Sequence, residues 1–132
     1  MFEYHGWATL RSDAYGAEVS PTSRRLGDLR RRLGDLDGSG EAALRFFNGS
    51  PQLWISGNPN HRNDSVVDFF RDIATGFPGS YGLLYIWDDE SDHENAFRVL
   101  RLMRGKVEEL DDPFLSPCVP TIEDPYDPER RA

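Results

Sequence analysis

Tyr81-Gly82-Leu83-Leu84-Tyr85-Ile86-Trp87 is an almost unbroken apolar run of strand length, bounded by Gly79-Ser80 before it and Asp88-Asp89 after it. A helix needs more residues than this, and the aromatic content favours the extended chain, so the run predicts a central strand covered on both faces. The segments on either side of it settle the remaining architecture.

Downstream, the loop Asp88-Asp89-Glu90-Ser91-Asp92-His93-Glu94 leads to residues 97–103 and 106–110, which flank the tight turn Arg104-Gly105 and predict a hairpin. Upstream, Val66, Phe69, Phe70 and Ile73 recur at helical spacing, with Ser65 and Asp68 at the spacing of a capping box; Gly76, Pro78 and Gly79 stop that helix. Further back, residues 42–47 and 52–57 surround Asn48-Gly49-Ser50-Pro51, an Asn-Gly hairpin signal.

An earlier helix is signalled by Ser20-Pro21, a capping hydroxyl before a proline at the first helical position. Leu26, Leu29, Leu33 and Leu36 then form one stripe, which Gly27 and Gly34 weaken by about 1 kcal/mol each relative to alanine, and residues 37–40 end it. At the start of the chain, Phe2, Tyr4, Ala8 and Leu10 alternate as in a strand. The order is β-α-β-β-α-β-β-β, an α+β fold with a mainly antiparallel β-sheet and two helices packed on it.

A chain of 132 residues is the size of one domain with one core. Residues 1–122 are expected to form that single α+β domain. Residues 113–122 should lie against it, because Phe114, Leu115, Cys118, Val119 and Ile122 are too apolar to float freely, while the acidic tail 123–132 is expected to be disordered. The single cysteine excludes an internal disulfide, no apolar stretch approaches the roughly 20 residues of a membrane span, and the N-terminus lacks the basic start and apolar run of a signal peptide. These features predict a cytoplasmic protein without membrane contact.

Charge is the most informative bulk property. The net charge is −8, and it is unevenly placed: residues 1–87 carry ten acids and nine bases, residues 88–129 thirteen acids and four bases. Such a balance argues against a nucleic-acid partner, because duplex affinity comes largely from Lys and Arg replacing counterions on phosphates. A carboxylate-rich loop instead attracts a basic protein at long range.

Catalytic signatures are missing. Cys118 sits in a proline-rich segment with no flanking motif and reads as a buried, inert thiol; His5, His61 and His93 are scattered; no phosphate loop or nucleophile elbow occurs. The 88–94 loop holds enough oxygen for a cation but lacks the alternation and central glycine of a calcium loop, so no metal and no cofactor is expected. The candidate partner-binding residues are Asp88, Asp89, Glu90, Asp92 and Glu94, with Glu108, Glu109, Asp111 and Asp112 second. Tyr4, Trp7, Trp54 and Tyr81 are assigned to the core by default, whereas Trp87, directly before Asp88, is the best-placed aromatic anchor.

Three blocks resemble one family: Phe2-Glu3-Tyr4-His5-Gly6-Trp7-Ala8; Leu53-Trp54-Ile55; and Asp112-Pro113-Phe114-Leu115-Ser116-Pro117-Cys118 with Pro120-Thr121-Ile122-Glu123-Asp124. They are similar to immunity protein seven of bacterial polymorphic toxin systems. The resemblance implies a non-enzymatic protein that binds and neutralises a cognate toxin effector domain and so protects the producing cell; a nuclease is a typical basic target. The alternatives from other classes are a small metal-dependent hydrolase using the acidic loop with His93, and an adaptor for a non-toxin protein.

Overall fold

The computed structural model describes residues 1–12, 23–36, 40–120, 122, 128 and 129. Its elements run β1 (Phe2–Thr9), α1 (Ser23–Asp35), β2 (Gly40–Phe47), β3 (Ser50–Gly57), α2 (Asp64–Gly76), β4 (Tyr81–Asp88), β5 (Arg98–Met103) and β6 (Lys106–Asp111). That order and the α+β class are those expected from the sequence. The capping pair Ser20-Pro21 and nearly all of the 123–132 tail lie outside the described residues.

The six strands form one sheet in the order β2-β3-β1-β4-β5-β6, with every neighbouring pair antiparallel. The Asn48-Gly49 and Arg104-Gly105 turns carry positive φ at both residues, as two-residue hairpin turns that match strand twist require. Residues directly opposed in the ladder point to the same side, so the register fixes the faces. Tyr4 opposes Gly57 and Ile86, Gly6 opposes Ile55 and Leu84, and Ala8 opposes Leu53 and Gly82. These residues share the face on which both helices pack: Leu26, Leu29 and Leu33 of α1 and Val66, Phe69, Phe70 and Ile73 of α2 form one buried cluster with Phe2, Leu84, Ile86, Leu100 and Leu102.

Close packing at the centre dictates a glycine. A Cβ on Gly82 would lie 2.0 Å from the Trp7 carbonyl oxygen and 2.7 Å from Ala8 Cα, so β1 and β4 approach each other only because this side chain is missing. The second helix begins differently from the sequence expectation: Asn63 caps it, its side-chain oxygen accepting from the Ser65 N–H at 3.1 Å. Ser65 therefore lies inside the first turn.

With both helices on one side, the opposite sheet face is only partly covered. Burial along β4 alternates instead of being continuous, which corrects the expectation of cover on both faces. Trp7 (46% exposed), Trp54 (43%) and Tyr81 (46%) lie on this open face and are not core, contrary to their default assignment. They occupy the side of the ladder opposite Tyr4, Gly6 and Ala8, so no helix reaches them.

Candidate functional site

The acidic loop leaves the end of β4 and is built by its own first residue. Asp88 is only 7% exposed, and its Oδ1 accepts from the Glu90 N–H at 3.1 Å, an Asx turn. The Asp88 carbonyl accepts from both the N–H (3.2 Å) and the hydroxyl (2.7 Å) of Ser91, whose Oγ accepts in turn from the His93 N–H at 3.1 Å. Arg62 approaches the Asp88 carboxylate at 3.5 Å, and Asp64 at 2.6 Å. Its guanidinium is held above the ordinary arginine value, chiefly by the Asp64 hydrogen bond. Asp88 therefore spends its carboxylate on folding the loop.

The next two carboxylates are exposed but engaged. Asp89 lies 2.8 Å from the Met1 amino group, and Glu90 lies 2.7 Å from His61 Nδ1. The Glu90 carboxyl is pulled below its ordinary value, first by the hydrogen bond from His61 and then by the charge of the same ring. Asp92 and Glu94 differ: both are exposed, and neither side chain has a hydrogen-bond or ion-pair partner among the described residues.

Trp87 holds the far end of the loop. Its Nε1–H donates to the Glu94 carbonyl at 2.8 Å, and its ring packs on Phe97 with centroids 5.8 Å apart. Phe97 also packs edge-on against Tyr85. The segment after β6 is tied to the loop at the same place. Asn95 donates to and accepts from the Val119 backbone at 2.8 and 2.9 Å, the Cys118 N–H reaches the Asn95 carbonyl at 2.9 Å, and the Phe97 N–H reaches Ser116 Oγ at 2.9 Å.

Asp112, 6% exposed, organises that segment by accepting from the Phe114 N–H (2.9 Å), the Leu115 N–H (2.8 Å) and Ser116 Oγ (2.9 Å). Tyr85 faces it, and burial followed by the Asp112 charge pushes its hydroxyl pKa up. Cys118 is buried; desolvation, then Asp112, raises its thiol. Of the apolar residues expected to hold 113–122 against the domain only Cys118 is buried, while Phe114, Leu115, Val119 and Ile122 are exposed, so the segment is attached by the hydrogen bonds at Ser116, Cys118 and Val119.

The second group of candidates lies on β6 and beyond. Glu109 and Asp111 both pair with Arg98, Glu109 at 3.1 Å, and Glu108 pairs with Arg101 at 2.8 Å. Burial opposes the charge of Arg98, but these two carboxylates outweigh it and raise its pKa. Of the ten candidates, Asp88, Asp112 and Trp87 shape the loop and its support, five carboxylates are exposed with a cationic partner, and Asp92 and Glu94 are exposed without one among the described residues. Beneath the loop lies a small cleft of about 80 Å³, lined by residues that include Arg62, Arg71, Asp88, His93, Arg98 and Glu109.

Among the described residues no group of three or more His, Cys, Asp or Glu is placed to hold a metal ion, and no helix is long and apolar enough to cross a membrane. What sequence reading missed is the aromatic surface. Trp7 and Trp54 are directly opposed on β1 and β3, and Trp7 meets Tyr81 edge-on at 6.3 Å. The signal was present: the alternation of Phe2, Tyr4, Ala8 and Leu10 puts Trp7 on the other face from the core set.

Comparison with known proteins finds one family: the model for immunity protein 7 matches residues 1–124. No curated protein and no solved structure matches the chain.

Proposed function

We infer that this protein, which belongs to the immunity protein 7 family, binds a cognate toxin effector domain in the cytoplasm of the producing cell and holds it inactive without catalysis, using the acidic loop as its principal contact. Membership of the family over residues 1–124 carries the reading. The loop supplies the means. Asp92 and Glu94 are exposed carboxylates with no internal cation among the described residues to neutralise them, so their field is available to an incoming basic surface. The Asx turn at Asp88 and the Trp87 hydrogen bond hold the loop backbone in place before binding, which lowers the ordering cost of association. A basic toxin such as a nuclease fits this charge.

The test is association with a toxin effector domain that co-purifies with the chain. The double variant Asp92→Lys/Glu94→Lys should slow association by roughly ten-fold at low salt and flatten its salt dependence. Unchanged kinetics at every salt concentration would remove the loop from the interface. A second reading, in which the toxin sits on the open sheet face, is favoured by one observation, the half-exposed Trp7, Trp54 and Tyr81. It predicts that Trp7→Ala and Trp54→Ala, not the loop reversal, speed dissociation.

A further inference from the structure

The two edges of the sheet are built differently. On β6, Lys106, Glu108, Glu109 and Asp111 occupy four of six positions, the usual protection against unwanted strand pairing. The opposite edge, β2, reads Gly-Glu-Ala-Ala-Leu-Arg-Phe-Phe; it has no proline and no bulge, and it is in register with β3 at every residue from Gly40 to Phe47. Ala42, Phe46 and Phe47 are exposed along it. Among the described residues no backbone hydrogen bond from outside the sheet reaches this strand. Its two charges, Glu41 and Arg45, are exposed and have no partner among the described residues. Four residues apart on an extended strand, they are about 13 Å from each other and too far to pair.

We propose that β2 pairs with β2 of a second copy of this chain, antiparallel about a two-fold axis at Ala43, joining the two sheets edge to edge. Two features select that register, the charges along the strand and the aromatic row on the open face. The axis at Ala43 brings Glu41 opposite Arg45 of the second copy and Arg45 opposite its Glu41, so each charge faces one opposite charge, in two pairs per dimer. Moving the axis to Ala42 or Leu44 sets Glu41 against Ala43 or Phe47, and moving it to Glu41 or Arg45 sets like charges against each other.

The same register brings Phe46 opposite Gly40 of the second copy, on the helix side of the sheet. There an open groove of about 500 Å³ runs between α1 and β2, with Leu33, Gly34, Leu36 and Gly40 among its lining. Arg30 and Arg45 line this groove together with the leucines, Arg30 lies 6.0 Å from the Phe46 ring centroid, and the Tyr4 hydroxyl packs against Gly40, so Phe46 of the second copy would rest at the mouth of a mixed polar and apolar groove. On the open face, Ala43 opposes Trp54, which opposes Trp7, so the two aromatic rows become one row across the axis. The two-fold is isologous, as expected of a dimer interface.

The pairing is independent of toxin binding, and its test uses the chain alone. Sedimentation equilibrium at high micromolar concentration should give twice the chain mass of 15.1 kDa. Glu41→Arg or Arg45→Glu alone should weaken self-association on the order of ten-fold, because two attractive pairs become repulsive. The double exchange Glu41→Arg/Arg45→Glu should restore it, and an equimolar mixture of the two single variants should form a mixed dimer. Phe46→Ser, at a half-exposed position, should weaken the dimer and leave thermal unfolding unchanged only at concentrations where both proteins are monomeric. A monomeric wild-type chain overturns the proposal, as does a dimer indifferent to these substitutions. Finding that β2 is used only when the toxin is present also overturns it, because the strand then serves the toxin and not a second copy.

Discussion

Asp112→Ala tests whether a buried carboxylate, and not apolar contact, holds the post-β6 segment in place. The wild-type side chain accepts three hydrogen bonds, from the N–H groups of Phe114 and Leu115 and the hydroxyl of Ser116. Hydrogen bonds to a charged group are worth about 1.5–3 kcal/mol each when the freed partners stay buried. Here Phe114 and Leu115 are exposed, so their N–H groups regain water once the segment loosens and most of that cost is recovered. The expected net loss is about 2–3 kcal/mol. For a single domain with a urea m-value of about 2 kcal/mol/M, that moves the midpoint down by about 1 M without changing m. Equilibrium urea unfolding followed by tryptophan fluorescence reads this directly, since Trp87 packs on Phe97, whose N–H is held by Ser116. A midpoint shift below about 0.2 M would refute the reasoning and leave the segment held by Cys118 and its neighbours alone.

Gly82→Ala should cost about 3 kcal/mol or more, or prevent folding, because its Cβ meets backbone atoms of β1 at 2.0 and 2.7 Å; thermal unfolding measures it, and near-wild-type stability would contradict the close approach. The Cys118 thiol, buried and pushed up in pKa, should resist a thiol reagent at neutral pH in the native protein and react at once in denaturant. Glu90 should titrate below the ordinary glutamate range by NMR and return towards it in His61→Ala. A depressed carboxyl pKa stabilises the fold above the unfolded-state value, and the contribution is lost as pH falls through the folded value, so the effect of His61→Ala on stability should fade in acid.

Much of the fold was legible because the strong signals are local. The leucine stripe of α1, the Val66, Phe69, Phe70 and Ile73 face of α2 and the two turns with Gly at their second position each follow from a few neighbouring residues. The choice of helix face is not local. It depends on how two amphipathic helices are distributed over one sheet, and placing both on the same side left Trp7, Trp54 and Tyr81 uncovered. Cap assignment at α2 failed by two residues, since Asn63, Asp64 and Ser65 all carry a capping side chain in succession.

The acidic site was legible as composition but not as division of labour. Counting carboxylates treats Asp88 and its neighbours in the loop alike, whereas Asp88 and Asp112 are drawn inward by nearby N–H and hydroxyl donors. In both, Oδ1 accepts the N–H two residues on, from Glu90 and from Phe114, an Asx turn that a count of carboxylates does not distinguish. Pairing with Arg62, His61, Arg98 and Arg101 depends on residues distant in sequence, so which carboxylates lack a partner among the described residues emerges only once the chain is folded.

The most direct measurement is the association rate of the full chain with a toxin effector domain it co-purifies with, followed as salt is raised, for the wild type and for Asp92→Lys/Glu94→Lys. A steep fall in the wild-type rate, with a slow and nearly salt-independent rate for the variant, is the predicted result. Superimposable salt profiles for the two proteins would contradict the claim that the acidic loop captures the toxin.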